Sequence, residues 1–326
     1  MFNSFKSQVM KEVVTGIDIG GTNTVMGLVD RDGNILAEAS LLTTSYPEVQ
    51  GFVDAIAGAV SEMRKKAGDV NIMGIGIGAP NGNYYKGTIE QATNLVWRGI
   101  IPIAEMIEKK TSIKVVLTND ANAAAMGEMI FGAAKGMKDF IVLTLGTGLG
   151  SGIVVNGQMV YGHTGFAGEL GHMVIVPNGR ACGCGSHGCL ETYASATGLV
   201  RTVLLLLSEM REESPLRKVP VAELTSKMVA EAAAKGDVIA LKAFDYTADK
   251  LALGIANSVI FSSPQAVFLF GGLVNAGELL FKPLREHINK YVMPWYRGRF
   301  EVLPSGIKEH NAAVLGAAAL AWNEIL

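Results

Sequence analysis

The sequence has little charge and almost no cysteine. Asp, Glu, Lys and Arg make up 18% of its 326 residues, where about a quarter is usual. The 28 basic residues nearly cancel the 30 acidic ones, leaving a formal charge of −2. Without a basic excess there is no overall pull toward polyanions, so nucleic acid is not expected as the principal ligand. The three cysteines, Cys182, Cys184 and Cys189, lie side by side, whereas a disulfide scaffold spreads its cysteines out. The segment Met1 to Lys11 contains no apolar run long enough for a signal-peptide core, and a reducing cytoplasm is the expected compartment. Long hydrophobic runs are missing too. The longest uncharged stretch, Leu251 to Gly277, is broken by Asn257, Ser262, Ser263, Pro264 and Gln265, so it reads as a buried helix, a turn and a buried strand; no membrane partner is expected. No low-complexity linker divides the chain.

What is abundant is glycine: 39 residues, well above the usual share of about 7%, with no three-residue period that would suggest collagen. The length accommodates two domains with ample core. Strand-like and helix-like segments alternate. Val13 to Ile19, Val25 to Val29 and Asn34 to Ser40 form a meander turning at Asp32-Gly33. Helix follows at Gly51 to Lys66 and a buried strand at Ile72 to Ile77. The order of parts returns weakly later: strand Phe140 to Leu145, loop Gly146-Thr147-Gly148, strand Gly152 to Val155, hairpin turn Asn156-Gly157. Two such units in an α/β chain predict two lobes of related topology, each offering a loop to one ligand. The charged region Arg201 to Asp237 reads as a solvated helical insertion.

Chemistry concentrates at a few places. Asp18, Gly20, Gly21, Thr22 and Thr24 follow a strand, where bare backbone N–H groups and hydroxyls suit phosphate oxygens and an aspartate suits water-bound Mg²⁺. No lysine follows, so this is not a P-loop, and a tight hairpin explains this loop alone equally well. Gly146, Thr147 and Gly148 repeat the pattern, and Gly271-Gly272 after a buried strand would let a nucleotide base lie on bare backbone. Together the three point to a nucleoside triphosphate.

His172, Cys182, Cys184 and Cys189 form the pattern H-x9-C-x-C-x4-C with glycines interleaved. Three thiolates and an imidazole match a closed tetrahedral zinc site. A redox pair or catalytic thiol does not need three clustered cysteines, and His187 competes with His172 as the fourth ligand. Glu169 and Glu191 flank the cluster. Carboxylates aimed by one ion suit the hydroxyls of a sugar, and ion loss is expected to weaken the sugar site with less effect on the phosphate loops.

The chain resembles the ROK family of bacterial sugar kinases and repressors, and is most similar to its ATP-dependent glucokinases. The resemblance runs from about Val13 to the C-terminus. It rests on the loop Asp18 to Asn23, the segment Asn119-Asp120-Ala121-Asn122-Ala123, Gly146 to Gly148, Glu169-Leu170-Gly171-His172, and Cys182 to Glu191. It implies an α/β, two-lobed actin-like (ribonuclease H-like) ATPase fold with a structural zinc site. The expected lobes are residues 12–120 plus 311–326, and 121–310 carrying the zinc site and an insertion at 203–237. It further implies ATP with Mg²⁺ as donor, structural Zn²⁺, and Asp120 as general base toward the 6-hydroxyl of a hexose, with glucose preferred. Asn94, Asn119, Asp120, Glu169, His172 and Glu191 would bind the sugar, and Asp18, Gly20, Gly21, Thr22, Thr24, Gly146, Thr147, Gly148, Gly271 and Gly272 the nucleotide. A homodimer or homotetramer is the implied assembly. Kinases for N-acetylated hexosamines or fructose, and a non-catalytic sugar-sensing regulator, are the alternatives. The dozen or so residues ahead of the first strand are too few for a helix-turn-helix, so DNA reading is not expected.

Overall fold

The computed structural model describes residues 10–307 and 309–325. Residues 1–9, in which no signal-peptide core is expected, lie outside these, as does the last residue of the expected first lobe. In chain order the elements begin with β1 (Lys11–Ile19), β2 (Asn23–Val29), β3 (Ile35–Leu42), α1 (Val49–Ala67) and β4 (Val70–Gly78). Short strands β5 (Gly82–Asn83), β6 (Thr88–Glu90) and β7 (Ile100–Ile101) precede α2 (Ile103–Thr111), β8 (Val115–Thr118) and α3 (Asp120–Ile130). The chain continues through β9 (Phe140–Leu145), β10 (Leu149–Val155), β11 (Gln158–Met159), α4 (Ala196–Glu209), α5 (Ser226–Ala234) and α6 (Val238–Ser262). It ends with β12 (Ala266–Phe270), α7 (Glu278–Tyr291), β13 (Glu301–Pro304) and α8 (Glu309–Ile325).

Two compact units result. The first takes the chain up to Lys135, the excursion Tyr161–Phe166 and everything from Ile307 onward; the second takes Gly136–Val160 and Ala167–Gly306. The first unit thus runs beyond the expected junction at 120/121. The reason is packing: α3 leaves β8 of the first sheet and lies along α8, so its small apolar face is buried with that sheet.

The first unit is built on a sheet of order β3-β2-β1-β4-β8. Strands β1, β2 and β3 run antiparallel, while β4 and β8 add in parallel to β1. Alternation along β1 sorts its side chains by face. Val13, Ile17 and Ile19 join Phe52, Ile56 and Ile107 of α1 and α2 in one core, and Val14 packs with Leu315, Ala318 and Trp322 of α8 in another. On the α8 face, a Cβ on Gly16 or Gly76 would stand 2.1 Å from the Val314 carbonyl oxygen or 1.9 Å from that of Ala317. Glycine here lets helix backbone rest on strand backbone.

The second unit repeats this plan. Its sheet has the order β11-β10-β9-β12-β13, with β9 to β11 antiparallel and β12 and β13 parallel to β9. The weak echo in the sequence is therefore a full duplication of strand order and sense. The uncharged stretch expected as helix, turn and strand is the end of α6, a turn and β12. Its apolar residues fill a core: Leu251, Ile255 and Val259 pack with Ile141, Leu143 and Leu145 of β9. The region 201–237 is not merely solvated, because Val203, Leu216, Leu224 and Val229 are buried in the same core. No helix among the described residues is long and apolar enough to cross a membrane.

Candidate active site and metal centre

In the first unit the candidate residues gather at the carboxyl ends of β1, β4 and β8, where open parallel sheets offer room for ligands. Asp18 on β1 stands opposite Gly78 on β4, and Gly78 opposite Thr118 on β8. A side chain at Gly78 would reach within 3.6 Å of an Asp18 carboxylate oxygen and 3.8 Å of the Asp120 Cα. Asp120 is the first residue of α3, and Asn119 is its cap: Asn119 Oδ1 accepts the Asn122 N–H at 2.7 Å. That leaves the Asn119 amide nitrogen as its donor toward a ligand. Asn122, not foreseen as functional, is wholly buried and donates to Thr118 Oγ1 at 3.2 Å, tying the helix start to the strand end.

The two carboxylates are electrostatically unusual. Burial, reinforced by the charge of Asp120, pushes the Asp18 carboxyl up to about 7. Asp120 is raised as well, chiefly by the crowd of protein around it, although its side chain keeps solvent-accessible area and accepts the Ala121 N–H at 2.8 Å. Two anions so placed favour a cation or a proton between the charged states, which fits Asp18 as the residue that would hold Mg²⁺.

Gly20, Gly21 and Thr22 form the turn between β1 and β2, closed by Gly20 N–H to the Asn23 carbonyl at 3.0 Å. Asn94 adjoins it: a Cβ on Gly21 would lie 2.4 Å from the Asn94 carbonyl oxygen. Buried Leu95 and Trp97 hold the exposed Asn94 in place, the Trp97 indole donating to the Tyr46 carbonyl at 3.0 Å. Thr24 corrects the expectation. It is fully buried and its hydroxyl pairs with Thr43 at 2.9 Å, so it ties β2 to the turn that follows β3 and offers nothing to a phosphate.

In the second unit a hairpin-like excursion presents the cysteines. Cys182 N–H bonds the Ser186 carbonyl at 2.9 Å and Gly188 N–H the Arg180 carbonyl at 2.8 Å. Gly188 sits at φ +80, and a Cβ there would stand 1.8 Å from the Val176 carbonyl oxygen, so only glycine closes this turn. Arg180 clamps the excursion to α4, donating to the Thr192 and Gly198 carbonyls at 2.8 and 3.1 Å while its guanidinium lies 4.6 Å from the Tyr193 ring centre.

The ligand atoms of His172, Cys182, Cys184 and Cys189 all lie within 4.8 Å of one another. Cys184 Sγ is 3.7 Å from Cys189 Sγ, and Cys182 Sγ is 3.7 Å from His172 Nδ1. A tetrahedral zinc with Zn–S bonds of about 2.3 Å sets its sulfurs roughly 3.8 Å apart, whereas a disulfide needs about 2.05 Å. The donor set therefore fits zinc, with His172 in the group and the exposed His187 outside it. Burial first, and then the neighbouring cysteines, push the Cys182 thiol up to about 12 and raise that of Cys189; a dication is what would make these groups thiolates.

Glu169 leads into the single helical turn Leu170–His172. Glu191 is not simply aimed outward. Its Oε2 accepts the Leu149 N–H at 3.0 Å, and its Oε1 lies 3.6 Å from Cys182 Sγ. A Cβ on Gly148 would stand 2.3 Å from Glu191 Oε2, so the glycine of the second loop makes room for this carboxylate. Glu191 thus stands between Cys182 and the end of the loop Gly146-Thr147-Gly148, a link that motif spacing does not name.

Gly271 follows β12 at φ +107, its α-carbon side held against the Leu145 backbone. Beyond it, Gly272 lines a cavity of about 630 Å³ together with Lys227, Ala230, Glu231, Phe244 and Leu273. Helix α5 of the 203–237 region forms one wall, a role no motif announced.

The ROK family model matches residues 14–324. A glucokinase of Thermotoga maritima is 36% identical over 314 residues, covering 94% of this chain and 96% of that protein. A xylose repressor of Caldicellulosiruptor bescii is 32% identical over 98% of this chain and 81% of its own length. Among solved structures, a ROK glucokinase from Streptomyces griseus in complex with glucose and AMPPNP is 35% identical with a TM-score of 0.79, covering 95% of this chain and 99% of that one. The chain belongs to the ROK family.

Proposed function

We propose that the chain is an ATP-dependent hexokinase-type sugar kinase that converts glucose to glucose 6-phosphate. The observation that carries this reading is Asp120, a carboxylate at the first position of α3 beside Asp18, with its proton affinity raised above the ordinary carboxylate range. The glucokinase relatives and the related enzyme bound to glucose and AMPPNP support the substrate pair.

Asp120 takes the proton of the 6-hydroxyl as that oxygen forms a bond to the terminal phosphorus and the bond to the bridging oxygen of ADP breaks. Asn94, Asn119, Glu169, His172 and Glu191 hold the other hydroxyls, and charge-assisted hydrogen bonds to the glutamates orient the ring. The loops Gly20 to Thr22 and Gly146 to Gly148 receive phosphate oxygens on the N–H groups of Gly21, Thr22, Thr147 and Gly148. The cavity beside Gly272 takes the nucleobase. Asp18 would hold Mg²⁺, which would supply charge neutralisation for the transferred group, and His172, Cys182, Cys184 and Cys189 would hold a zinc ion that would stiffen the sugar-binding turn.

A coupled assay with ATP and a panel of glucose, N-acetylmannosamine, N-acetylglucosamine and fructose tests this. Glucose is expected to give the highest kcat/KM. Turnover of none of them would remove the kinase reading in favour of a sugar-sensing regulator, and preference for an N-acetylated sugar would replace the substrate.

A further inference from the structure

The loop Gly146-Thr147-Gly148 has every one of its carbonyls tied back. The Gly146 carbonyl accepts the Ala196 N–H at 2.9 Å, the Gly148 carbonyl accepts the Gly146 N–H at 3.1 Å, and the Thr147 carbonyl accepts the Thr197 hydroxyl at 2.8 Å. The Thr147 and Gly148 N–H groups have no acceptor among the described residues. An anion approaching this loop therefore meets unused donors, with the carbonyl lone pairs engaged elsewhere.

Two of these three ties come from the start of α4. Ser195 caps that helix, is wholly buried, accepts the Gly198 N–H at 3.0 Å and donates to the Glu191 carbonyl at 2.7 Å. Its hydroxyl lies 3.1 Å from that of Thr197. Thr197 itself is exposed, so its hydroxyl is not needed to fill a core; its partner is one peptide group of the loop. A peptide whose carbonyl is unheld can rotate and turn its oxygen toward the bound anion, exchanging attraction for repulsion.

We infer that Thr197 is a positioning residue for the donor nucleotide: by holding the Thr147 carbonyl it keeps the 146–148 loop in the conformation that presents N–H groups to phosphate oxygens. The inference rests on the reading of that loop as a phosphate site of a sugar kinase. It assigns a role to a residue outside every motif in the sequence.

The test compares the full-length protein with Thr197→Val, which keeps the shape and removes the hydroxyl, and Thr197→Ser, which restores it. Loss of one hydrogen bond of ordinary strength corresponds to about three- to tenfold in affinity. Thr197→Val is expected to raise the KM for ATP and weaken AMPPNP binding in calorimetry by about that factor. Glucose affinity and Tm should stay unchanged, and Thr197→Ser should regain the wild-type values. A Thr197→Val protein with wild-type AMPPNP affinity overturns the inference, as does an equal loss for glucose and nucleotide accompanied by a lower Tm. If the wild type itself turns over no hexose with ATP and binds no AMPPNP, the kinase reading falls and takes this inference with it.

Discussion

Asp18 and Asp120 face the same Gly78, and the charge of Asp120 helps to push the Asp18 carboxyl up to about 7. The strand register and the cap at Asn119 bring these two residues together from positions 102 apart in sequence. Repulsion between them is tolerated in the fold because the sheet and α3 are held by apolar packing elsewhere. Such a pair is better suited to binding a cation and moving a proton than to stabilising the protein.

Asp120→Asn removes the proton acceptor while keeping the shape and the Ala121 contact. A positioned base contributes about 10²- to 10⁴-fold, so kcat should drop by that range while glucose binding, read by calorimetry, remains near wild type. A variant with near-normal kcat would show that another group accepts the proton.

The pH dependence follows from the same residue. Asp120 must be ionised to act, and its pKa is raised, so kcat/KM should fall on the acid side at a pH above the ordinary aspartate value of about 3.9. A profile flat down to that value would contradict the assignment.

Cys184→Ser should lower the zinc content found by metal analysis and reduce Tm. Because Glu191 joins Cys182 to the Leu149 N–H, the KM values for glucose and for ATP should both rise. A zinc-free protein with unchanged KM for both would separate the cluster from the site.

Asp30 offers a stability test away from the chemistry. It accepts the Asp32 and Asn34 N–H groups at 3.0 and 2.8 Å and pairs with Lys11 at 2.7 Å. Against the cost of its own burial, hydrogen bonds from Lys11 and Asn34 hold its carboxyl down at about 2. A depressed pKa stabilises above the unfolded value of about 3.9 and loses that contribution as pH falls through the folded one. Asp30→Ala should therefore cost about 1–3 kcal/mol at pH 7, and the difference in denaturant midpoint should shrink between pH 4 and pH 2. An unchanged difference across that range would show that the carboxylate charge is not involved.

Gly76→Ala introduces a methyl group 1.9 Å from the Ala317 carbonyl oxygen. Overpacking of this kind costs about 1–3 kcal/mol, and Tm should fall accordingly. A variant with unaltered Tm would mean that α8 shifts freely on the sheet.

Much of this was legible in the residues. Alternation in Val13 to Ile19 and the Asp32-Gly33 turn identify the first meander, and the spacing of His172 and the three cysteines identifies a tetrahedral donor set. Thr24 misleads because a hydroxyl in a glycine loop and a hydroxyl inside a core look alike along the chain. Thr197 and Asn122 were missed for the complementary reason: their partners, Thr147 and Thr118, are named by the fold and not by spacing. The 203–237 region looked solvated because its charges conceal Leu216, Leu224 and Val229, whose burial depends on α6.

The order of amino acids by itself determined the strand and helix types, the repeated loop chemistry and the zinc-type donor set, since each depends on residues near one another in the chain. Tertiary structure alone decided that Asp18 and Asp120 share one glycine, that Glu191 accepts the Leu149 N–H beside the second loop, and that α5 walls the cavity beside Gly272. The physical reason is that hydrogen bonds, desolvation and charge repulsion act over a few ångströms of space, and only strand register and helix packing set which distant residues come that close.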